Sequence, residues 1–302
     1  MSDASHGMDE PSRPWALLRN VASPGMLNSV PVLLLFMAGF LGPLVLVGLT
    51  SFIPERTFGF HGDWTVENYS RLFAKGSSHY IPFVWSFGLA FACVAFLMTI
   101  CYPIAYGMAK VFGKWAAPIT LLMVLPLFVS ENVRLFGWVI FLMKGGGIFA
   151  GIMKTLFGLD PGSMLYTPAV VLFGLCYVYL PFMLFPIVLG VSMIPKDLVE
   201  SASDLGASRL QIFREIEIPL AMPGLLVGGL LTFILSVGAI SEAGILGGQN
   251  ISVIGIDIRH EFTYAQNWAG GSAVAMLVTV LTAVLVMTLL HRLNLDRLLG
   301  KR

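Results

Sequence analysis

The sequence predicts an all-α polytopic membrane protein with six transmembrane helices, and three observations carry that prediction. Of its 302 residues, 57% are hydrophobic and only 12% charged, about half the charged share of a soluble domain. The apolar residues gather into long charge-free runs, near the ~20 residues a helix needs to cross ~30 Å of hydrocarbon. The runs show no period-two alternation, so helices rather than a β-barrel must satisfy the backbone in lipid.

In chain order, residues 1–29 read as a polar tail with no apolar signal-type core. The first span falls at Val30–Phe52 and the second at Tyr80–Ala109. The third starts at Trp115, meets Glu131 and Arg134, and continues to Leu142. The fourth covers Tyr166–Ile194, the fifth Met222–Gly244 and the sixth Gly270–Leu290. The membrane domain is thus 30–292, followed by a short tail, 293–302.

Orientation follows from the cations. With the N-terminus inside, the cytoplasmic side receives eleven Lys and Arg, the outer side six, and Arg134 stays within the membrane. Both termini are therefore expected in the cytoplasm. On the outer side, Asp63 or Thr65 is placed to cap a short helix running to Phe73. The segment KGGGIFAG (144–151) lacks the phosphate-loop pattern and reads as a flexible loop. Cys93, Cys101 and Cys176 fall inside apolar runs without metal-ligand or redox spacing, so they read as packing residues.

Between spans four and five lies Glu200–Gly224, ESASDLGASRLQIFREIEIPLAMPG. Leu198, Ala202, Leu205 and Leu210 are apolar, while Glu200, Asp204, Arg209 and Arg214 are charged. Gly206 interrupts the helical pattern, and Ser208 is placed to cap a second helix. Pro219 is expected to end that helix and Pro223-Gly224 to open span five. The product is a short helical hairpin, 195–221, with Phe213 exposed. Its physics fits an amphipathic interfacial loop or a protein-docking element.

Charges inside a membrane are costly and often functional. Glu131, Arg134 and Trp138 share one helix face. Glu131 and Arg134 form either an internal pair or a site where Glu131 meets a cationic amine and Trp138 offers a π-face. Glu242, near the outer end of span five, is a candidate amine ligand or a solvated loop carboxylate. Tyr177 and Tyr179 are candidate pathway-lining aromatics, with packing as the alternative.

The Glu200–Gly224 segment closely resembles the EAA motif of ABC importer permeases. Glu200, Ala202, Gly206, Ala207, Phe213, Ile218, Pro219, Leu220, Pro223 and Gly224 match, and Ser201 departs from the central alanine. WTVENYSRLF (64–73), LPLFVSENVRLFGW (125–138) and LYTPAVVLFGLCYVYLPFMLFPI (165–187) are similar to the spermidine/putrescine branch, in particular its first permease. The resemblance implies a type I ABC importer permease in a bacterial inner membrane, with no catalytic or metal site of its own. It implies a coupling helix in a cleft of a cytoplasmic ATPase dimer, which binds the ATP and Mg. It also implies a second, different permease and a periplasmic solute-binding protein as partners. In that setting Glu200 makes polar contacts to the ATPase, Gly206 gives a close turn, Phe213 is a packing anchor, and Asp204 belongs to the same coupling loop. Members of the branch more often carry an acid at the position of Ala239, one turn before Glu242. That departure leaves room for another small polar solute, such as an aminoalkylphosphonate or an opine. An ion-coupled carrier would show internal repeats, which do not stand out here. A membrane enzyme would need a catalytic constellation, and the five histidines are dispersed.

Overall fold

The computed structural model describes residues 24–55, 64–74, 80–144, 146–158, 162–248 and 250–292. All regular structure among these residues is helical. Five helices are long and apolar enough to cross a membrane, or six if one bent pair forms a single span. The two tails fall largely outside the described residues, although the helix of span one already begins at Pro24.

Span one comprises α1 (Pro24–Phe36), a π turn at Met37–Leu41, and α2 (Gly42–Thr50). Its apolar side chains are mostly exposed in the isolated chain, which suits contact with lipid. Outside it lies the short helix α3 (Glu67–Leu72). Thr65 Oγ1 accepts from the Glu67 N–H at 3.1 Å, but Thr65 stands one residue before the cap position, Val66, which makes no side-chain cap bond. Asp63, the other candidate cap, lies outside the described residues. Buried Asn68 fastens α3 to the end of span one, donating to the carbonyls of Ser51 and Ile53, both at 2.8 Å.

The core is built from α4 (Tyr80–Tyr106), α8 (Pro168–Ser192) and α11 (Ile218–Val237). Leu97, Val171, Leu175, Met183, Leu184 and Ile187 fill the interior. The three cysteines are free and buried there, with the Sγ atoms of Cys93 and Cys176 3.7 Å apart. Helices α8 and α11 cross where Gly190 faces Gly224. A Cβ on Gly190 would stand 2.9 Å from the Ala221 carbonyl oxygen and 3.0 Å from Gly224 Cα. Only residues without side chains allow two backbones to meet so closely. Gly224, expected to belong to the coupling segment, stands at this crossing.

Span three differs from the sequence expectation. Its halves are Gly113–Phe128 and Glu131–Leu142, meeting at 96°. The first half includes α5 (Ala116–Val124) and a 3₁₀ turn at Leu125–Phe128 containing Pro126. Val129 and Ser130 are then extended, with ψ of 136° and 134°. The second half is α6 (Glu131–Leu142). Helix α7 (Ile148–Phe157) follows, opening within the segment expected to be a loop.

Span five also differs, at both ends. Pro219 does not end the helix: α10 (Arg209–Ile212) runs through a π turn at Phe213–Glu217 into α11. A π turn displaces the preceding carbonyls, which makes room for the proline ring at the first turn of α11. The helix then stops at Val237, before Glu242. Glu242 instead belongs to a separate short helix, α12 (Ser241–Leu246). Next come α13 (Ile254–Thr263) and the last span, α14 (Trp268–Arg292). The Ser86 hydroxyl accepts from the Ile254 N–H at 2.8 Å, tying α13 to α4.

Candidate coupling surface and substrate pathway

The hairpin begins with α9 (Lys196–Asp204), capped by extended Pro195. At its end the Ala207 N–H donates to the Ala202 carbonyl and the Gly206 N–H to the Ser203 carbonyl, both at 3.0 Å. This paired closure needs a left-handed residue, and Gly206 supplies it with φ of 85°. Ser208 starts the second arm as foreseen. Its hydroxyl accepts from the Gln211 N–H at 3.3 Å, and its own N–H donates to Gln211 Oε1 at 2.8 Å. Two caps therefore fix a tight corner between two short arms.

Glu200, Asp204 and Gly206 are exposed on this corner, and Ala202 and Ala207 are half-buried beneath them. Phe213 is not the expected exposed knob. It is half-buried, its ring edge-on to Tyr102 with centroids 5.3 Å apart. The exposed apolar tip is Leu205, 89% accessible beside Gly206. Its sequence signal was an apolar residue directly before the chain-reversing glycine. Pro219 is exposed, Pro223 half-buried and Gly224 buried. The lower part of the motif thus supports the hairpin instead of presenting it.

The interior candidates gather around α6, α8 and α12. Glu131 is the first residue of α6 and half-buried. It makes no ion pair with Arg134 within 4 Å, so the internal-pair alternative is not realised. The Arg134 guanidinium instead lies over the Tyr177 ring, 5.6 Å from its centroid, and its Nε atom is buried without a hydrogen-bond partner among the described residues. Trp138 packs edge-on against Phe173 at 4.6 Å and Tyr177 at 5.7 Å. Arg134, Trp138 and Tyr177 therefore form one cluster.

Glu242 is fully buried, and neither carboxylate oxygen makes a well-formed hydrogen bond among the described residues, although the Tyr179 side chain lies within reach of it. It is not a solvated loop carboxylate. Its Cβ lies over Gly174, near Leu135. Glu131, Arg134 and Tyr179 are close enough to act on its charge. Tyr179 is buried on α8, while Tyr177 is half-buried. An acid this deep without a cation paired to it is costly, and functional sites are where such costs are retained.

A helical membrane bundle with a capped hairpin between two spans and acids in its interior has the form of a transport subunit. Residues 102–300 match the family described as binding-protein-dependent transport system inner membrane component, and the chain belongs to that family. It is 33% identical over 246 residues to the spermidine/putrescine transport system permease protein PotB of Haemophilus influenzae, covering 81% of this chain and 85% of that protein. Against PotB of Escherichia coli K12 the identity is 31% over 269 residues, covering 87% and 94%. Its fold matches a chain of a bacterial alginate ABC transporter solved with an alginate pentasaccharide-bound periplasmic protein. That match has a TM-score of 0.72 at 18% identity, covering 92% of this chain and 96% of that one. The chain is thus a multi-pass inner-membrane permease subunit of an ABC importer, a transport component and not an enzyme.

Proposed function

We propose that this permease carries a polyamine of the spermidine or putrescine class, and that the 195–221 hairpin couples it to a cytoplasmic ATPase dimer. The observation that carries the substrate reading is Glu242, a buried carboxylate with no well-formed hydrogen bond and no ion pair among the described residues. Glu131 adds a second acid near it, and Trp138 and Tyr177 add π-faces. A flexible aliphatic polycation offers what these groups lack, namely ammonium donors and positive charge. The similarity to spermidine/putrescine permeases supports the same class.

The coupling reading rests on the exposed corner. Leu205 projects beside Gly206, rimmed by Glu200, Asp204 and Arg209, and an apolar tip with a charged rim suits a protein cleft. ATP and Mg are then held by the ATPase, while a second, different permease completes the pathway and a periplasmic solute-binding protein delivers the solute. A second reading is favoured by Arg134, whose unpartnered Nε suits an anionic group. Together with Glu242 it would fit a zwitterion such as an aminoalkylphosphonate or an opine.

Uptake of labelled putrescine and spermidine into cells carrying the whole system tests the substrate. Glu242→Gln is expected to lower polyamine uptake at least tenfold, the scale of one lost charge-assisted contact. Unchanged uptake would remove Glu242 as a ligand, and uptake of a zwitterion alone would favour the second reading. For coupling, Gly206→Asp and Leu205→Asp should each reduce the ATPase captured with the tagged chain. Full capture by both variants would defeat the docking assignment.

A further inference from the structure

At the hairpin end of the bundle three segments meet around a hollow of about 180 Å³. They are the end of α4, the joint between α8 and α9, and the foot of α11. Tyr106, Lys110, Ile194, Lys196, Glu200 and Glu217 line it. Lys110 stands on the π turn Gly107–Val111 that extends α4. Its ammonium donates to the Ile194 carbonyl oxygen at 2.6 Å. That carbonyl lies just past the C-terminal end of α8 and directly before Pro195, the cap of α9. Carbonyls at a helix C-terminus lack intrahelical donors and carry the negative end of the dipole, so they attract a cation. Lys110 therefore pins α4 to the first joint of the hairpin.

Glu217 sits at the other end of the hairpin, on the last residue of the π turn before α11. It is 5% exposed, and its Oε1 atom is buried with no hydrogen-bond partner among the described residues. Two lysines and two glutamates thus face one small hollow, yet no ion pair within 4 Å forms among them. A buried carboxylate oxygen without a donor destabilises the conformation that contains it. A lysine stem has four carbons and rotates freely, so its charge can change partner without moving the backbone beneath it.

We propose that Lys110 is a positioning residue for transport, a two-position latch between α4 and the hairpin. In the conformation seen here it holds the Ile194 carbonyl; in the alternate one it turns to the Glu217 carboxylate. The first position ties α4 to the start of the hairpin and the second to its end. The relative stability of the two then sets which way α4 follows when the hairpin moves. Nothing in this device touches the solute, so it governs coupling and not specificity. It rests on the reading of the hairpin as the ATPase-facing element.

The test uses the complex purified through a tag on this chain, reconstituted in liposomes, with the solute-binding protein as isolated. ATP hydrolysis is measured with and without that protein, and the retained ATPase is quantified. Lys110→Met and Glu217→Gln should each leave the ATPase bound and cut stimulation by the binding protein about tenfold, as expected for one lost charge-assisted hydrogen bond. The double variant should be no worse than Lys110→Met alone, because without the lysine the Glu217 carboxylate has no latch contact left to lose. Lys110→Arg, which keeps the charge, should retain most of the stimulation. Normal stimulation in either single variant would overturn the latch, as would independent effects that multiply in the double. So would a result in which Tyr102→Phe, and not Lys110→Met, reproduces Glu217→Gln, since the Tyr102 hydroxyl is the other unpartnered group on that face. A wild-type complex that retains no ATPase would instead sink the coupling reading on which the latch depends.

Discussion

Gly224→Ala separates packing from coupling within the EAA-like segment. Gly224 matches the motif, yet it is buried where α8 and α11 cross. A methyl group there would point at the Pro186 carbonyl oxygen and stand 2.9 Å from Gly190 Cα and 3.0 Å from Gly190 N. Carbon atoms reach their optimal separation near ~3.5–4 Å, so the helices would have to part by roughly 0.5–1 Å. The neighbours are backbone atoms and cannot rotate aside. Overpacking of this kind costs about 1–3 kcal/mol. Gly88 is the control, because it is exposed on α4 and an added Cβ would meet nothing within 4 Å. Alanine there should be neutral or stabilising by up to ~1 kcal/mol. The assay is the monodisperse fraction of tagged chain in mild detergent after graded heating. Gly224→Ala should lower the midpoint by several degrees and Gly88→Ala should not. If Gly224→Ala melted with the wild type yet lost the ATPase, the crossing would not be what this glycine serves.

Three further outcomes follow from single contacts. Ser86→Ala removes the acceptor for the buried Ile254 N–H and should cost about 1–3 kcal/mol, seen as faster hydrogen exchange at the start of α13. Ser208→Ala removes one half of the two-way cap with Gln211. It should cost about 1 kcal/mol and raise exchange in α10 while leaving the thermal midpoint of the bundle nearly unchanged. Arg134→Met removes the cation over Tyr177; if the second substrate reading holds it should abolish zwitterion uptake, and if the polyamine reading holds it should spare or raise polyamine uptake.

Five of the expected spans were legible because hydrocarbon thickness demands long apolar runs. The hairpin corner was legible too, since Gly206 and Ser208 are local signals whose meaning depends on adjacent residues alone. Hydropathy does not register a change of direction, however. Val129 and Ser130 turn span three by 96°, and the charges that follow them, Glu131 and Arg134, mark a costly stretch without saying that the chain turns. Pro219 looked like a stop, but whether a proline ring clashes depends on the turn before it, and the π turn at Phe213–Glu217 removes the clash. Phe213 looked exposed because its shelter, Tyr102, is more than a hundred residues earlier in the chain. Lys110 carried no signal, since its partner is a backbone carbonyl.

Glu242 shows how one break decides the chemistry of a side chain. Had α11 continued past Val237, five more residues would have carried Glu242 about 7.5 Å farther along the axis, toward water. The chain instead stops at Gly238, and α12 packs back onto α6 and α8. The glycine does not impose this stop, because its φ of −83° is open to any residue. Tertiary contacts hold it. Ile240 packs so closely on Gly255 that no side chain fits there, and the next residue back, Ile254, is anchored by Ser86. The same contacts that end the helix therefore bury the carboxylate beside Gly174. Replacing Gly255 with alanine would force Ile240 away and loosen α12, so its effect on solute uptake should resemble that of Glu242→Gln while the hairpin still captures the ATPase. Loss of capture with intact uptake would contradict this link between the break and the buried acid.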